Sequence, residues 1–194
     1  RRSSDLGDRI CYHGVMDIFR NPKLAAVIYA CQQEKEPVLE LSSSMDIGEH
    51  PGCNRGEIYI FTNADKVRMY KNDRFIKEYS AADSPYTHLK HGPILINDFI
   101  GDALQEEHMK PGQEAGVKKA LNAFTRFGFA KLPKSIYATG IWLILRYHMN
   151  MEEAVRLYNK YIGDWGGTST TYRFEAVMVD VSRSEEHTSE LQSQ

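Results

Sequence analysis

One stretch constrains this chain more than any other: EIYIFTNADKVRMYKNDRFIKEYS, residues 57–80. Glu57 to Thr62 is rich in β-branched and aromatic residues, and Asn63-Ala64-Asp65 supplies a turn. Val67 and Met69 then share one face of a second strand, with Arg68 and Tyr70 on the other. Asn72-Asp73 is a tight-turn dipeptide, and Phe75 with Ile76 opens a third strand. Runs of this kind joined by such turns predict an antiparallel meander. Upstream, PVLELSSSMD reads as a short strand, with Leu39 and Leu41 on one face and Val38 and Glu40 on the other. IGEHPGCNRG is dense in turn formers and reads as a loop, and GPILIND adds a further short strand.

From about Asp98 the apolar period becomes helical. QEAGVKKALNAFTRFGF aligns Val117, Ala120, Leu121, Phe124 and Phe127. PKSIYATGIWLILRYHM aligns Ile136, Gly140, Leu143, Ile144 and Tyr147. In NMEEAVRLYNKYIG, Asn150 is the expected N-cap with Glu153 at the third helical position, and Gly163 is the expected stop. TTYRFEAVMVD returns to strand character and is expected to pair back onto the first sheet. Near the start, FRNPKLAAVIYACQQEKEP predicts a helix capped by Asn21, with Pro22 at its first position and Leu24, Val27, Ile28 and Cys31 as its stripe.

Strands, then three helices, then a lone strand suggest a helical excursion from a β domain. A β-sandwich needs about seven strands, and this pattern supplies five at most. The length of 194 residues suits one ordinary domain or two small ones, and a hydrophobic fraction of 42% suffices for a core. No stretch reaches the roughly 20 continuous apolar residues of a membrane span. The net charge of −2 gives no basic signature for nucleic acid. Two of the helices mimic a helix-turn-helix, but Glu152 and Glu153 sit in the first turn of the second one, where phosphates would approach. Cys11, Cys31 and Cys53 are odd in number and widely spaced, so they form neither a zinc pattern nor a disulfide framework. His50 and Cys53 in HPGC lack the two further ligands a metal needs, so neither a metal nor a cofactor is expected.

The two ends read differently from the middle. RSEEHTSELQS near the C-terminus is the translation of a common sequencing-library adapter, and RRSSDL at the N-terminus is that of its counterpart. Arg1 to Leu6 and about Arg183 to Gln194 are therefore expected to be foreign, the latter disordered, and the native insert to begin at about Gly7.

That insert resembles the C-terminal part of glycoside hydrolase family 2 enzymes of the β-galactosidase and β-glucuronidase type. One carrier is a G-x-x-D-x-x-R-x-P-K-x-A segment, here Gly14, Asp17, Arg20, Pro22, Lys23 and Ala25. Another is the hairpin running from Thr62-Asn63-Ala64-Asp65 to Asn72-Asp73, and HGPILINDFIGD and WGGTSTTYRFEA add to it. The resemblance implies an α+β fold: the last helix of a (β/α)8 barrel, followed by an incomplete immunoglobulin-like β-sandwich carrying a three-helix insertion. Residues 7–36 would end the barrel, 37–97 begin the sandwich, 98–167 form the insertion and 168–182 the returning strand.

Retaining glycosidases use two carboxyl groups about 5–5.5 Å apart. The resemblance implies two glutamates on barrel strands upstream of this chain, so no catalytic residue is expected within it. Glu34, Glu36 and Glu57 are read as solvated side chains. Tyr12 and His13 fall where the loop after the last barrel strand meets the face that carries barrel active sites, which makes them the candidate substrate contacts. In glucuronidases that loop reads N-x-K-G, with Asn and Lys on the uronate carboxylate; here it is CYHG, so the resemblance favours a neutral sugar such as galactose. Asp17 and Arg20 are read as a structural pair. Tyr137, Trp142, Tyr147, Tyr158, Tyr161 and Trp165 offer ring faces to sugars, but four of them at helical spacing are expected to pack the helical core, with Trp165 the best candidate for exposure. The expected partner is a carbohydrate substrate of a parent β-galactosidase, with a homo-oligomer of that parent open and a cytoplasmic location favoured. The alternative is a non-catalytic carbohydrate-binding or structural module.

Overall fold

The computed structural model describes residues 14–33, 36–45, 54–163, 170–179 and 186–193. In chain order the elements are α1 (Leu24–Ala30), β1 (Leu39–Leu41), β2 (Tyr59–Thr62), β3 (Lys66–Lys71), β4 (Arg74–Ser80), β5 (Ile94–Leu95), α2 (Pro111–Phe127), α3 (Lys134–Tyr147), α4 (Met151–Tyr161), β6 (Tyr172–Val179) and β7 (Glu186–Ser193). The fold is α+β with antiparallel sheets, one ordered β1-β2-β5 and the other β4-β3-β6-β7.

The expected three-strand meander is divided between these sheets. β2 pairs with β1 and β5, while β3 pairs with β4 and β6. The cause lies in the turn. Asn63 is buried and fully engaged with the chain ahead of β1. Its Nδ2 donates to the carbonyls of Gln33 (2.9 Å) and Glu36 (2.7 Å), and its Oδ1 accepts from the Val38 amide (2.8 Å). Thr62 Oγ1 donates to the Val38 carbonyl at 2.8 Å and accepts from the Ala64 amide at 3.0 Å. These bonds hold residues 62–64 in a crossover between sheets, where a hairpin would have left Asn63 at the surface.

The β3–β4 turn is a true hairpin. Asn72 (φ 48°) and Asp73 (φ 61°) are both left-handed, the type I′ geometry that matches strand twist. Asn72 also bonds the approach to β6, its Oδ1 accepting from the Thr171 amide at 2.8 Å. β6 then pairs with β3 over Tyr172–Val177, the return expected of TTYRFEAVMVD.

Alternation along the strands, with a break in the β3–β4 register that leaves Ile76 unpaired, sends Ile58, Ile60, Val67, Met69, Ile76, Tyr79, Ile94 and Phe174 into one core between the sheets. A second core gathers Ile100, Leu104, Val117, Leu121, Leu143 and Leu157 around the helices. Phe99 belongs to the first and its neighbour Ile100 to the second, so the chain steps between cores at one peptide bond.

The helices follow the expected spans, with differences at particular residues. Asn150 caps α4 as expected, its Oδ1 accepting from the Glu153 amide at 2.8 Å. Gly163 closes that helix through its amide to the Tyr158 carbonyl at 2.8 Å. Asn21 does not cap α1; Lys23 occupies the cap position without a side-chain bond. Asn21 instead donates to Asp17, and Pro22 bridges to Met16, because residues 15–23 close on themselves before the helix begins. Ile144 was expected on the buried stripe of α3 but is exposed, since α2 covers only the flank bearing Ile136 and Leu143. Tyr161 is buried and Tyr147 and Tyr158 half-buried, whereas Tyr137 and Trp142 are exposed. Trp165 lies outside the described residues.

The tail expected to be disordered contains β7, paired with β6 from Tyr172–Ser193 to Val179–Glu186. Strand pairing uses backbone N–H and C=O groups, so the open edge of β6 accepts even polar sequence.

Candidate functional site

Tyr12 and His13, the expected substrate contacts, lie outside the described residues, as do Cys11, Glu34, His50 and Cys53. The described chain enters the region at Gly14, whose φ of 116° suits glycine. Asp17 organises the loop that follows. Its carboxylate accepts from the amides of Phe19 and Asn21, both at 2.8 Å, and from Asn21 Nδ2 at 2.9 Å. The Asn21 side chain and backbone bonds hold the Asp17 pKa below its ordinary value. The expected Asp17–Arg20 pair is replaced by this arrangement. Arg20 is instead the left-handed residue of the turn (φ 64°), and its amide donates to the Asp17 carbonyl at 3.1 Å.

Beyond this loop α1 presents an apolar surface to solvent. Leu24, Ile28 and Tyr29 are exposed, and Ile18 and Phe19 extend the same character into the loop. Cys31, just past the helix, is buried; desolvation, aided by Glu40, pushes its thiol up to about 11. Such a thiol is protonated at neutral pH and is a packing residue.

A general acid needs a carboxyl group held protonated near neutral pH. Among the described residues, the carboxyl groups with a displaced pKa, Asp17, Glu78, Asp98 and Glu107, are all shifted down. Each is an ionised anchor. Glu57, read as a solvated side chain, is exposed and pairs with Arg126 at 2.6 Å.

Two of these anchors escaped sequence reading. Asp98 sits where the chain steps between cores. It pairs with Lys118 at 2.7 Å and accepts from the amides of Ile100 (3.0 Å) and Gly101 (3.1 Å) and from Asn122 Nδ2 (3.1 Å). Burial raises its pKa, but Lys118 and these donors outweigh burial and leave it lowered. Asn122 Oδ1 accepts from the Phe99 amide at 2.8 Å, so one side-chain pair secures both residues of the step. Glu107 pairs with Arg156 at 2.7 Å and Lys160 at 2.6 Å, and accepts from the Tyr161 hydroxyl at 2.8 Å. Arg156 foremost, then Lys160 and Tyr161, hold its pKa down to about 2. Local spacing carries no signal for the side-chain partners of either cluster, because those lie 20 to 54 residues away.

No group of acidic, His or Cys side chains among the described residues is arranged to hold a metal ion. No described helix is long and apolar enough to cross a membrane. Tyr137 and Trp142 are five residues apart on α3, which turns them about 140° from one another around the helix axis. They do not form a shared stacking platform.

No family model matches the chain. Two curated proteins resemble part of it. A β-galactosidase of Thermoanaerobacter pseudethanolicus is 37% identical over 91 residues, which is 45% of this chain and 12% of that protein. A β-galactosidase of Thermoanaerobacterium thermosulfurigenes is 38% identical over 94 residues, 47% of this chain and 13% of that protein. The alignments thus span about an eighth of each relative's length. Over nearly half its length, this chain is related to glycoside hydrolases.

Proposed function

We propose that this chain is the C-terminal region of a retaining family 2 glycoside hydrolase whose parent is a β-galactosidase. The observation that carries the reading is the 37–38% identity to two β-galactosidases. The exposed apolar face of α1 supports it, because a helix that closes a barrel needs a wall to pack against.

In this reading two glutamates upstream perform the chemistry. One attacks the anomeric carbon as the other protonates the departing oxygen, and water then resolves the glycosyl-enzyme with net retention. Residues 7–36 contribute the last loop and helix of the barrel, with Tyr12 and His13 at the rim of the sugar site. Residues 37–97 and 168–182 form an immunoglobulin-like sandwich that braces the barrel, and the three helices are an insertion within it. Residues 1–6 and 183–194 are of adapter origin.

The test is to express the gene with its native flanking sequence and assay nitrophenyl glycosides. Turnover of the β-galactoside, little of the β-glucuronide, and a β-anomer as first product by NMR are expected. His13→Ala should lower kcat/KM several-fold. Preference for a glucuronide, or an α-anomer as first product, contradicts the reading.

A further inference from the structure

α3 has 14 residues, and only Lys134 and Arg146 among them are charged. Its flank turned away from α2 is apolar: Tyr137, Ile141, Ile144 and Leu145 are each more than half exposed. By helical geometry these four and Lys134 lie on one side, and Arg146 lies on another. A groove of about 380 Å³ borders this flank on the side toward α2 and the start of α4, lined by Phe124, Leu132, Gly140 and Met149 among others. At Gly140, on the groove side of α3, nothing outside the helix backbone lies within 4 Å of where a Cβ would stand. Met151 and Val155 of α4 continue the exposed apolar surface.

The charges at the two ends of this surface have opposite sign. Lys131 and Lys134 stand at the start of α3. Glu152 and Glu153 stand in the first turn of α4, just past the end of α3. A partner helix with the same charge polarity, laid antiparallel, brings basic end onto acidic end twice; laid parallel, it brings like onto like. A second copy of this chain, related by a two-fold axis through the middle of α3, meets that requirement without any further component.

We propose that the outer flank of α3, with its adjoining groove, is a homodimer interface in which α3 packs antiparallel on α3 of a second copy. Ile141, near the axis, is its apolar centre, and the Lys131/Lys134 and Glu152/Glu153 pairs set its direction. The assignment is independent of the glycosidase reading.

Sedimentation velocity on the 194-residue chain, from about 1 to about 100 μM, tests it. The wild type is expected to move from monomer to dimer across that range, and Ile141→Asp to stay monomeric with unchanged circular dichroism. Two charge variants make the test specific. Lys131→Glu with Lys134→Glu creates copies acidic at both ends, and Glu152→Lys with Glu153→Lys creates copies basic at both ends. Each should self-associate at least about tenfold more weakly than wild type, while an equimolar mixture should recover the dimer. A wild type monomeric throughout overturns the proposal. So does association that survives Ile141→Asp, which would place the contact elsewhere, for example on the apolar face of α1. A mixture no tighter than its parts also overturns it.

Discussion

Asp98 and Gly101 carry the step between the two cores, and each fails in its own way when altered. Removing the Asp98 carboxylate leaves two amides, Asn122 and Lys118 short of an acceptor in a largely buried setting. Asp98→Ala should cost about 2–4 kcal/mol by urea denaturation. Gly101 has a φ of 58°, and a Cβ there would stand 2.7 Å from the Ile76 carbonyl oxygen. Gly101→Ala should cost about 1–3 kcal/mol. Glu107 adds a dependence on pH. Its folded pKa of about 2 lies below the ordinary 4.5, so its stabilising contribution is complete above pH 4.5 and declines as pH falls toward 2. Melting temperature followed from pH 5 down to pH 2 should fall for wild type and be flatter for Glu107→Gln, which starts lower. At this scale the sequence was a partial guide. The Asn150 cap was legible, because a cap is read from four adjacent residues. Asp98 and Glu107 were not, because distant partners define them.

The β3–β4 hairpin shows what an element owes to local sequence. Asn72 and Asp73 accept left-handed backbone more readily than other non-glycine residues, and Asn72 also bonds Thr171. Asn72→Ala should destabilise by about 1–2 kcal/mol, losing both its turn preference and that bond, whereas Asp73→Gly should stay within about 0.5 kcal/mol of wild type. Thermal denaturation of the two variants side by side checks this. The hairpin and its inward Val67 and Met69 were readable because period and turn lie within one stretch. The crossing between sheets at Asn63 was not. The same Asn-Ala-Asp text serves a hairpin or a crossover, and the choice rests on carbonyls at Gln33 and Glu36. The exposure of Ile144 is a similar case: helical period predicts a stripe, but the width of that stripe depends on which neighbours pack against it.

At the scale of the whole molecule, the sheets and helices each own a core, and α1 belongs to neither, with Leu24, Ile28 and Tyr29 exposed and Val27 half-buried. A helix in that position gains little from tertiary packing and is too short to hold itself. In the isolated chain, Leu24→Ser with Ile28→Ser should leave the main melting transition within about 0.5 kcal/mol of wild type and reduce binding of a hydrophobic dye. Slow hydrogen exchange throughout α1 would argue against this account. The overall α+β class was legible from the change of period near Asp98.

We propose that this polypeptide is one region of a larger sugar-cleaving enzyme whose reacting carboxylates are encoded upstream. Reading the genomic DNA on both sides of the codons for residues 7–182 tests it most directly. An uninterrupted upstream frame encoding a barrel with two catalytic glutamates is expected, with native codons in place of those for residues 1–6 and 183–194. A frame that encodes these 194 residues between its own start and stop codons would contradict it.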